Sequence, residues 1–269
     1  MVKAVVTGGA GRMGGRIISL ISGTDGIEIV GAVERKGHPL VGKDVGEYLG
    51  LGATGVVLED DLAKCAKNGD VVIDFTHRDA VMNTIRIAAE NDLAIVAGTT
   101  GLTAEETAEI RDMVQKTRCV LAPNMSVGVN VMFKVLENVA AILGDQYDVE
   151  IVEAHHNLKK DAPSGTAVKM AQVIADSLGR DLEDVGIYGR KGMIGERPKK
   201  EIGIQTVRAG DIVGEHTVIF GGVGERLEFI HRAHSRDNFA KGAIRAAMWI
   251  VDQENGLYDM QDVLGLKNM

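Results

Sequence analysis

Up to Pro123, short β-branched runs alternate with segments of helical apolar spacing, and this rhythm constrains the fold more than any other feature of the chain. Ala4–Val6, Glu28–Val33, Val71–Asp74, Leu93–Ala97 and Val120–Leu121 read as strands. Met13–Ile21, Asp79–Glu90 and Ala104–Lys116 read as helices. The strand runs are almost wholly apolar, which fits strands buried on both faces of a parallel sheet. The expected fold class is therefore α/β, a doubly wound, Rossmann-like domain that binds ligands beyond the C-terminal ends of its strands.

The loop after the first strand is Thr7-Gly-Gly-Ala-Gly-Arg-Met-Gly14, and it opens the first helix. Gly8, Gly11 and Gly14 form a variant of the dinucleotide fingerprint. The first glycine permits the tight turn, the second a close backbone approach to a pyrophosphate, and the third close packing of helix on strand. The helix N-terminus adds unpaired N–H groups for the phosphates. Glu34 ends the second strand and suits the adenosine ribose hydroxyls, as in NAD sites. Arg35 and Lys36 follow it and suit a 2′-phosphate, so NADH and NADPH both remain open. Asp74-Phe-Thr76 and Gly98-Thr-Thr-Gly101 end two further strands where a cofactor would lie, although Asp74 also suits a helix cap and Phe75 a core position.

After Met125 the rhythm changes. A long helix, Val127–Leu143, precedes a strand at Tyr147–Val152 and a helix beginning near Ser164. Glu201–Val207, Glu215–Phe220 and Arg226–His231 then read as an antiparallel or mixed sheet, with glycine turns at Gly210, Gly214 and Gly221-Gly222. A last helix, Asn238–Gln253, carries Trp249 and is expected to return to the first domain. The expected domains are residues 1–126 with 237–269 for the dinucleotide, and an α+β domain at 127–236.

A net charge of −8 argues against nucleic-acid binding driven by overall charge. Cys65 and Cys119 form no CxxC pair and read as reduced core residues of a cytosolic protein. The start of the chain carries no signal-peptide pattern, and no apolar run is expected to reach membrane-spanning length.

The segment Glu153-Ala-His-His-Asn-Leu-Lys-Lys-Asp-Ala-Pro-Ser-Gly-Thr-Ala167 gathers two histidines, lysines and a helix-starting turn. His155 and His156 are adjacent in extended chain and point to opposite sides, which argues against a metal site. One histidine suits acid/base work and the other can orient ligand oxygens. Lys159 and Lys160 are an anion site or a solvated pair. The Ser164-Gly-Thr166 turn offers N–H groups and hydroxyls to a carboxylate, and Ser164 or Thr166 can cap the helix at the same time.

Together with Asn124-Met-Ser-Val-Gly-Val-Asn130 and Arg208-Ala-Gly-Asp-Ile-Val-Gly-Glu-His216, these motifs closely resemble the dihydrodipicolinate (4-hydroxy-tetrahydrodipicolinate) reductase family, nearly end to end. The resemblance implies NADH- or NADPH-dependent reduction of a cyclic imine dicarboxylate, with loss of water, in diaminopimelate and lysine biosynthesis. It implies His155 and Lys159 as the proton-handling residues and His156, Ser164, Gly165 and Thr166 as substrate contacts. Gly8, Gly9, Ala10, Gly11, Arg12, Met13, Glu34, Arg35, Gly98, Thr99, Thr100, Ala122, Pro123, Asn124 and Met125 fall on the dinucleotide contacts, and Phe75 joins them as a cofactor contact expected from its strand-end position alone. It further implies that the second domain binds substrate and joins a cytoplasmic homotetramer through its sheet. Lys160 stands where other members carry an apolar residue and reads as a bystander. The alternatives are an aspartate-dehydrogenase-like enzyme and a non-catalytic NAD(P)-binding regulator.

Overall fold

The computed structural model describes residues 1–267. The chain divides into two compact units, one of Met1–Val127 with the return from Asp237 onward, the other of Gly128–Arg236.

The first unit runs β1 (Val2–Thr7), α1 (Arg12–Ile21), β2 (Ile27–Val33), α2 (Val45–Leu49), β3 (Leu58–Glu59), α3 (Ala63–Ala66), β4 (Val71–Asp74), α4 (Arg78–Glu90), β5 (Ala94–Ala97), α5 (Ala104–Met113) and β6 (Arg118–Leu121). The second contains α6 (Val127–Leu143), β7 (Asp148–His155), α7 (Gly165–Ser177), α8 (Leu182–Val185), β8 (Gly186–Ile187), β9 (Ile202–Arg208), β10 (Gly214–Gly221) and β11 (Arg226–Ala233). The chain then returns through α9 (Asp237–Ile250), β12 (Gly256–Tyr258) and α10 (Met260–Val263).

The first sheet has the order β12-β6-β5-β4-β1-β2-β3, and every pairing in it is parallel. Strand residues alternate between two cores because successive side chains point to opposite faces. Ala4, Val6, Val71, Ile73, Ala94, Val96 and Val120 pack with α1 and α9 residues such as Ile17, Ile18, Ala243 and Ala247. Val5, Val72, Ile95, Ala97 and Cys119 pack on the other side with Val81, Ile85 and Ile110 of α4 and α5. Helix α5 begins at a capping box, in which Thr103 and Glu106 satisfy each other's backbone N–H groups. Its expected extension to Lys116 tightens into a 3-10 turn at Val114–Lys116.

The last helix ends at Ile250 instead of Gln253, and a strand that the sequence pattern hid follows it. β12 adds in parallel to β6, and its Tyr258 ring meets Trp249 edge-on at 5.2 Å. Three residues are too few to show a period, so this strand exists through its pairing.

The second sheet has the order β11-β10-β7-β9-β8. It is mixed: β7 pairs parallel with β9 and antiparallel with β10, so β7 separates two strands that follow each other in sequence. Gly214 and Gly221, expected in turns, instead open and close β10, while Gly210 does turn with φ +49°. Helices α6 and α7 cover one face, contributing Val129, Met132, Leu136 and Ala140, and Ala167, Met170, Ala171 and Ile174. The segment Val127–Gln146 is, contrary to expectation, long and apolar enough to cross a membrane by length and composition. Its buried residues recur at helical spacing and pack on the sheet, while Lys134 and Glu137 pair along its length.

Gly242 shows how closely α9 is seated: a Cβ there would run into the Met125 carbonyl oxygen. Gly242→Ala is expected to destabilise the protein by roughly 1–3 kcal/mol. Gly221→Ala, whose Cβ would meet nothing within 4 Å, should leave it unchanged. Thermal unfolding of the two variants checks this, and equal midpoints would contradict the packing.

Candidate active site

The dinucleotide residues expected from sequence all follow the C-terminal ends of β1, β2, β4, β5 and β6, which are neighbours in the parallel sheet. Gly8 has φ +63°, and its carbonyl accepts the Gly11 N–H at 2.8 Å. A Cβ on Gly14 would collide with that same carbonyl, so glycine there lets α1 start directly against the loop. The Gly9 N–H donates to the Val33 carbonyl at 3.0 Å and ties the loop to the end of β2. Among the described residues no side chain caps α1 at Gly11, so the helix start has no side-chain acceptor for its first-turn N–H groups. Arg12 and Arg35 are exposed, and Ala10 and Met13 half-buried.

Glu34 folds back on the loop, accepting the Ala10 N–H at 3.3 Å and the Arg35 N–H at 3.0 Å. Each carboxylate oxygen keeps a second lone pair for a ribose hydroxyl. Tyr48, which sequence reasoning missed, donates its hydroxyl to the Gly9 carbonyl at 3.2 Å. Burial, with Glu34 and Asp44 nearby, pushes its phenol up to about 12. Asp74 is buried and accepts both the N–H and the hydroxyl of Thr76, at 2.8 and 2.6 Å. Thr99 is buried and donates to the Thr76 carbonyl at 3.1 Å, while Thr100 is exposed. The Phe75 ring lies so close to Gly98 that any Cβ there would overlap it. Ala122 and Met125 are buried, Pro123 is exposed, and Asn124 accepts the Ser126 N–H at 2.9 Å. This edge fits a dinucleotide: a glycine cradle, an uncapped helix start and a carboxylate at the end of β2.

The second unit is organised around Glu153, which is fully buried. Arg208 of β9 grips it through two bonds of 2.8 Å. His155 Nδ1 lies 2.6 Å from Oε2, and the Ser164 N–H donates to Oε1 at 2.9 Å. Glu153 and His155 share a strand face, as the sequence alternation implies, and the register of β7 with β9 sets His155 opposite Arg208. Burial pushes the Glu153 carboxyl up, but the bonds from Arg208, His155 and Ser164 outweigh it and hold it below its usual range. Burial also pushes His155 down, and the charges of Lys159 and Arg208 add to this, against the pull of Glu153. His155 is therefore neutral near neutral pH, gives its Nδ1–H to Glu153 and keeps Nε2 bare. Gly214 leaves space for that nitrogen, since a Cβ there would lie 3.1 Å from Nε2.

Lys159 is mostly buried and pairs with Asp161 through both carboxylate oxygens at 2.9 Å. That pair holds the Asp161 carboxyl below its usual range. Lys160 is exposed. His156 is half-buried, and its Nδ1 is buried with no partner among the described residues. Ser164 caps α7 by accepting the Ala167 N–H at 3.1 Å, and its hydroxyl also meets His216 Nε2 at 3.0 Å. Gly165 is exposed at the start of α7 and Thr166 is half-buried beside it. The loop is stitched to the β9–β10 turn: Ala209 N–H donates to the His155 carbonyl, Asn157 N–H to Gly210, and Arg208 to the Asp161 carbonyl. Glu153, Arg208 and His216 lie within the recognised motifs, but their roles depend on pairing that sequence spacing does not show.

Removing the carboxylate should be severe. Glu153→Gln leaves Arg208 facing a neutral amide, and a loss of about 3 kcal/mol or more in urea unfolding is expected. The folded-state pKa of Glu153 lies below its ordinary value of 4.5. Its contribution to stability is thus complete above that value and fades as pH falls through the depressed folded value. The variant should therefore lose less stability than the native protein as pH falls through that range, and parallel acid titrations of the two would contradict this.

Comparison with known proteins shows the family to which the chain belongs. Residues 2–125 match the family model described as dihydrodipicolinate reductase, N-terminus, and residues 128–264 match its C-terminus counterpart. A 4-hydroxy-tetrahydrodipicolinate reductase of Syntrophus aciditrophicus (strain SB) is 66% identical over 268 residues, covering 100% of both chains. One from Geotalea uraniireducens (strain Rf4) is 58% identical, covering 99% of this chain and 100% of that one. Among solved structures, a dipicolinate-bound dihydrodipicolinate reductase from Paenisporosarcina sp. TG-14 superposes with a TM-score of 0.77 at 25% identity, covering 97% of this chain and 98% of that one. An amine dehydrogenase from Mycobacterium smegmatis, at a TM-score of 0.59 and 16% identity over 95% of this chain and 94% of that one, shares the fold.

Proposed function

Because this chain belongs to the dihydrodipicolinate reductase family, we propose that the Glu153–Thr166 segment grips a cyclic imine dicarboxylate and protonates it through Lys159. The reaction is the NAD(P)H-dependent reduction of 4-hydroxy-tetrahydrodipicolinate to tetrahydrodipicolinate with loss of water, in diaminopimelate and lysine biosynthesis. The dinucleotide, when bound, supplies the hydride; the Gly8–Met13 loop would hold its pyrophosphate and Glu34 its ribose.

The remaining chemistry belongs to the second unit. Gly165 and Thr166 present backbone N–H groups at the start of α7, where the helix dipole favours a carboxylate. His156 precedes them in the same segment and is assigned to the ligand oxygens. Lys159 donates a proton to the ring nitrogen as negative charge builds there. The observation that carries the choice of Lys159 over His155 is the Glu153–His155 bond of 2.6 Å: His155 is neutral, and its one ring proton is committed to a buried carboxylate. His155 then serves as a fixed neutral neighbour that keeps cationic charge off its own ring and leaves Nε2 as an acceptor for a substrate or water proton.

A cytoplasmic homotetramer completes this reading. Two buried, free cysteines, Cys65 and Cys119, suit a reducing compartment. Val207 and Ile230, 42% and 47% exposed on the second sheet, offer apolar surface to another copy.

Lys159→Ala is expected to lower kcat by roughly a hundredfold or more while leaving the dinucleotide dissociation constant unchanged. The check is a coupled assay using the product of the preceding aldolase, run in parallel with NADH and NADPH. An unchanged kcat would remove Lys159 from its role.

A further inference from the structure

Ser164 and His216 lie 52 positions apart in the chain and meet through Oγ and Nε2 at 3.0 Å. Ser164 is 2% exposed and His216 4%, so neither is open to bulk water at this contact. A serine hydroxyl has one proton to give and two lone-pair positions that accept. One of these takes the Ala167 N–H. A carboxylate ligand only accepts, so Ser164 can bind it only by turning its proton outward. Its second lone pair is then left for a donor inside the protein, and His216 Nε2 is the group in reach.

The state of that imidazole follows from its surroundings. Burial, with His155 adjacent, pushes His216 down to about 3, so it is neutral and carries a single ring N–H. Its Nδ1 is buried with no partner among the described residues. An orphaned buried N–H is rarer and costlier than an orphaned acceptor, which places the proton on Nε2. The ring is held in place by β10, which runs between β7 and β11, and by the His155 and His231 rings at 5.3 and 6.5 Å.

We propose that His216, as its Nε2–H tautomer, is a positioning residue for substrate: its N–H bond to Ser164 Oγ turns the serine hydroxyl into a donor aimed at a substrate carboxylate. This rests on the reading of the α7 N-terminal turn as a carboxylate cradle. His216 acts only through Ser164 and touches no reacting atom.

The test is the inhibition constant of pyridine-2,6-dicarboxylate and the KM for substrate, measured beside NADPH affinity in the full-length enzyme. His216→Phe keeps a ring but has no donor, whereas the amide of His216→Gln reaches the position of Nε2. We expect His216→Phe to weaken dicarboxylate binding roughly tenfold, with His216→Gln restoring most of it and NADPH affinity unchanged in both. In a Ser164→Ala background the effect of His216→Phe should disappear, because the two residues form one unit. If His216→Phe does not fold, His216→Gln against His216→Asn decides, since the shorter amide does not reach the Nε2 position and should bind weakly. Native dicarboxylate affinity in His216→Phe or in His216→Asn, additive effects with Ser164→Ala, or a nitrogen NMR spectrum placing the proton on Nδ1 would overturn the role of His216. Failure of the native enzyme to bind pyridine-2,6-dicarboxylate would instead overturn the cradle, and this inference with it.

Discussion

The buried carboxylate of Glu153 is the constraint on which the site depends. A carboxylate without solvent is stable only if its lone pairs are filled, and here Arg208, His155 and the Ser164 N–H fill them. Each bond places a different part of the chemistry. The Arg208 pair fastens β9 to β7, the His155 bond selects a tautomer, and the Ser164 bond sets where α7 begins. A loop carrying two histidines and two lysines would otherwise be free to lose its geometry to solvent. Burial lowers the His155 pKa against the pull of Glu153, and the proposed choice of Lys159 as donor rests on that.

The first unit solves a simpler problem by repetition. Five parallel strands end at one edge, and each delivers a short loop there because both sheet faces are occupied by helices. Close approach is then a matter of side-chain size. Gly14 and Gly98 each lie where a Cβ would overlap the Gly8 carbonyl or the Phe75 ring. Glu34 and Tyr48 brace the loop from the side of β2 through Ala10 and Gly9. The strand-end loops of the first unit are thus held by packing, and the Glu153–Thr166 loop by charge.

Much of this was legible in the sequence because it is periodic or local. The strands Val71–Asp74 and Ala94–Ala97 announce themselves as β-branched apolar runs, and α6 spans Val127–Leu143 as its spacing implies. The glycine loop and the Ser164 cap are local patterns with local causes. What the sequence hid is contact between distant segments. Arg208 reaches Glu153 across 55 positions and His216 reaches Ser164 across 52. No period relates them; they meet because β7 lies between β9 and β10, an order that consecutive extended runs do not reveal. β12 was hidden for the same reason, and Gly214 was misread as a turn because its work is to leave room for His155.

The most direct test of the central claim is amide hydrogen exchange at Ser164 in the native protein. A loop amide at the start of a helix ordinarily exchanges quickly, because the first turn has no helical acceptors. If Glu153 organises the site, the Ser164 N–H is locked onto a buried carboxylate and should exchange as slowly as amides in the centre of β7. Exchange as fast as that of the exposed neighbouring loop would show that the carboxylate does not hold the loop, and the account of the site would fail with it.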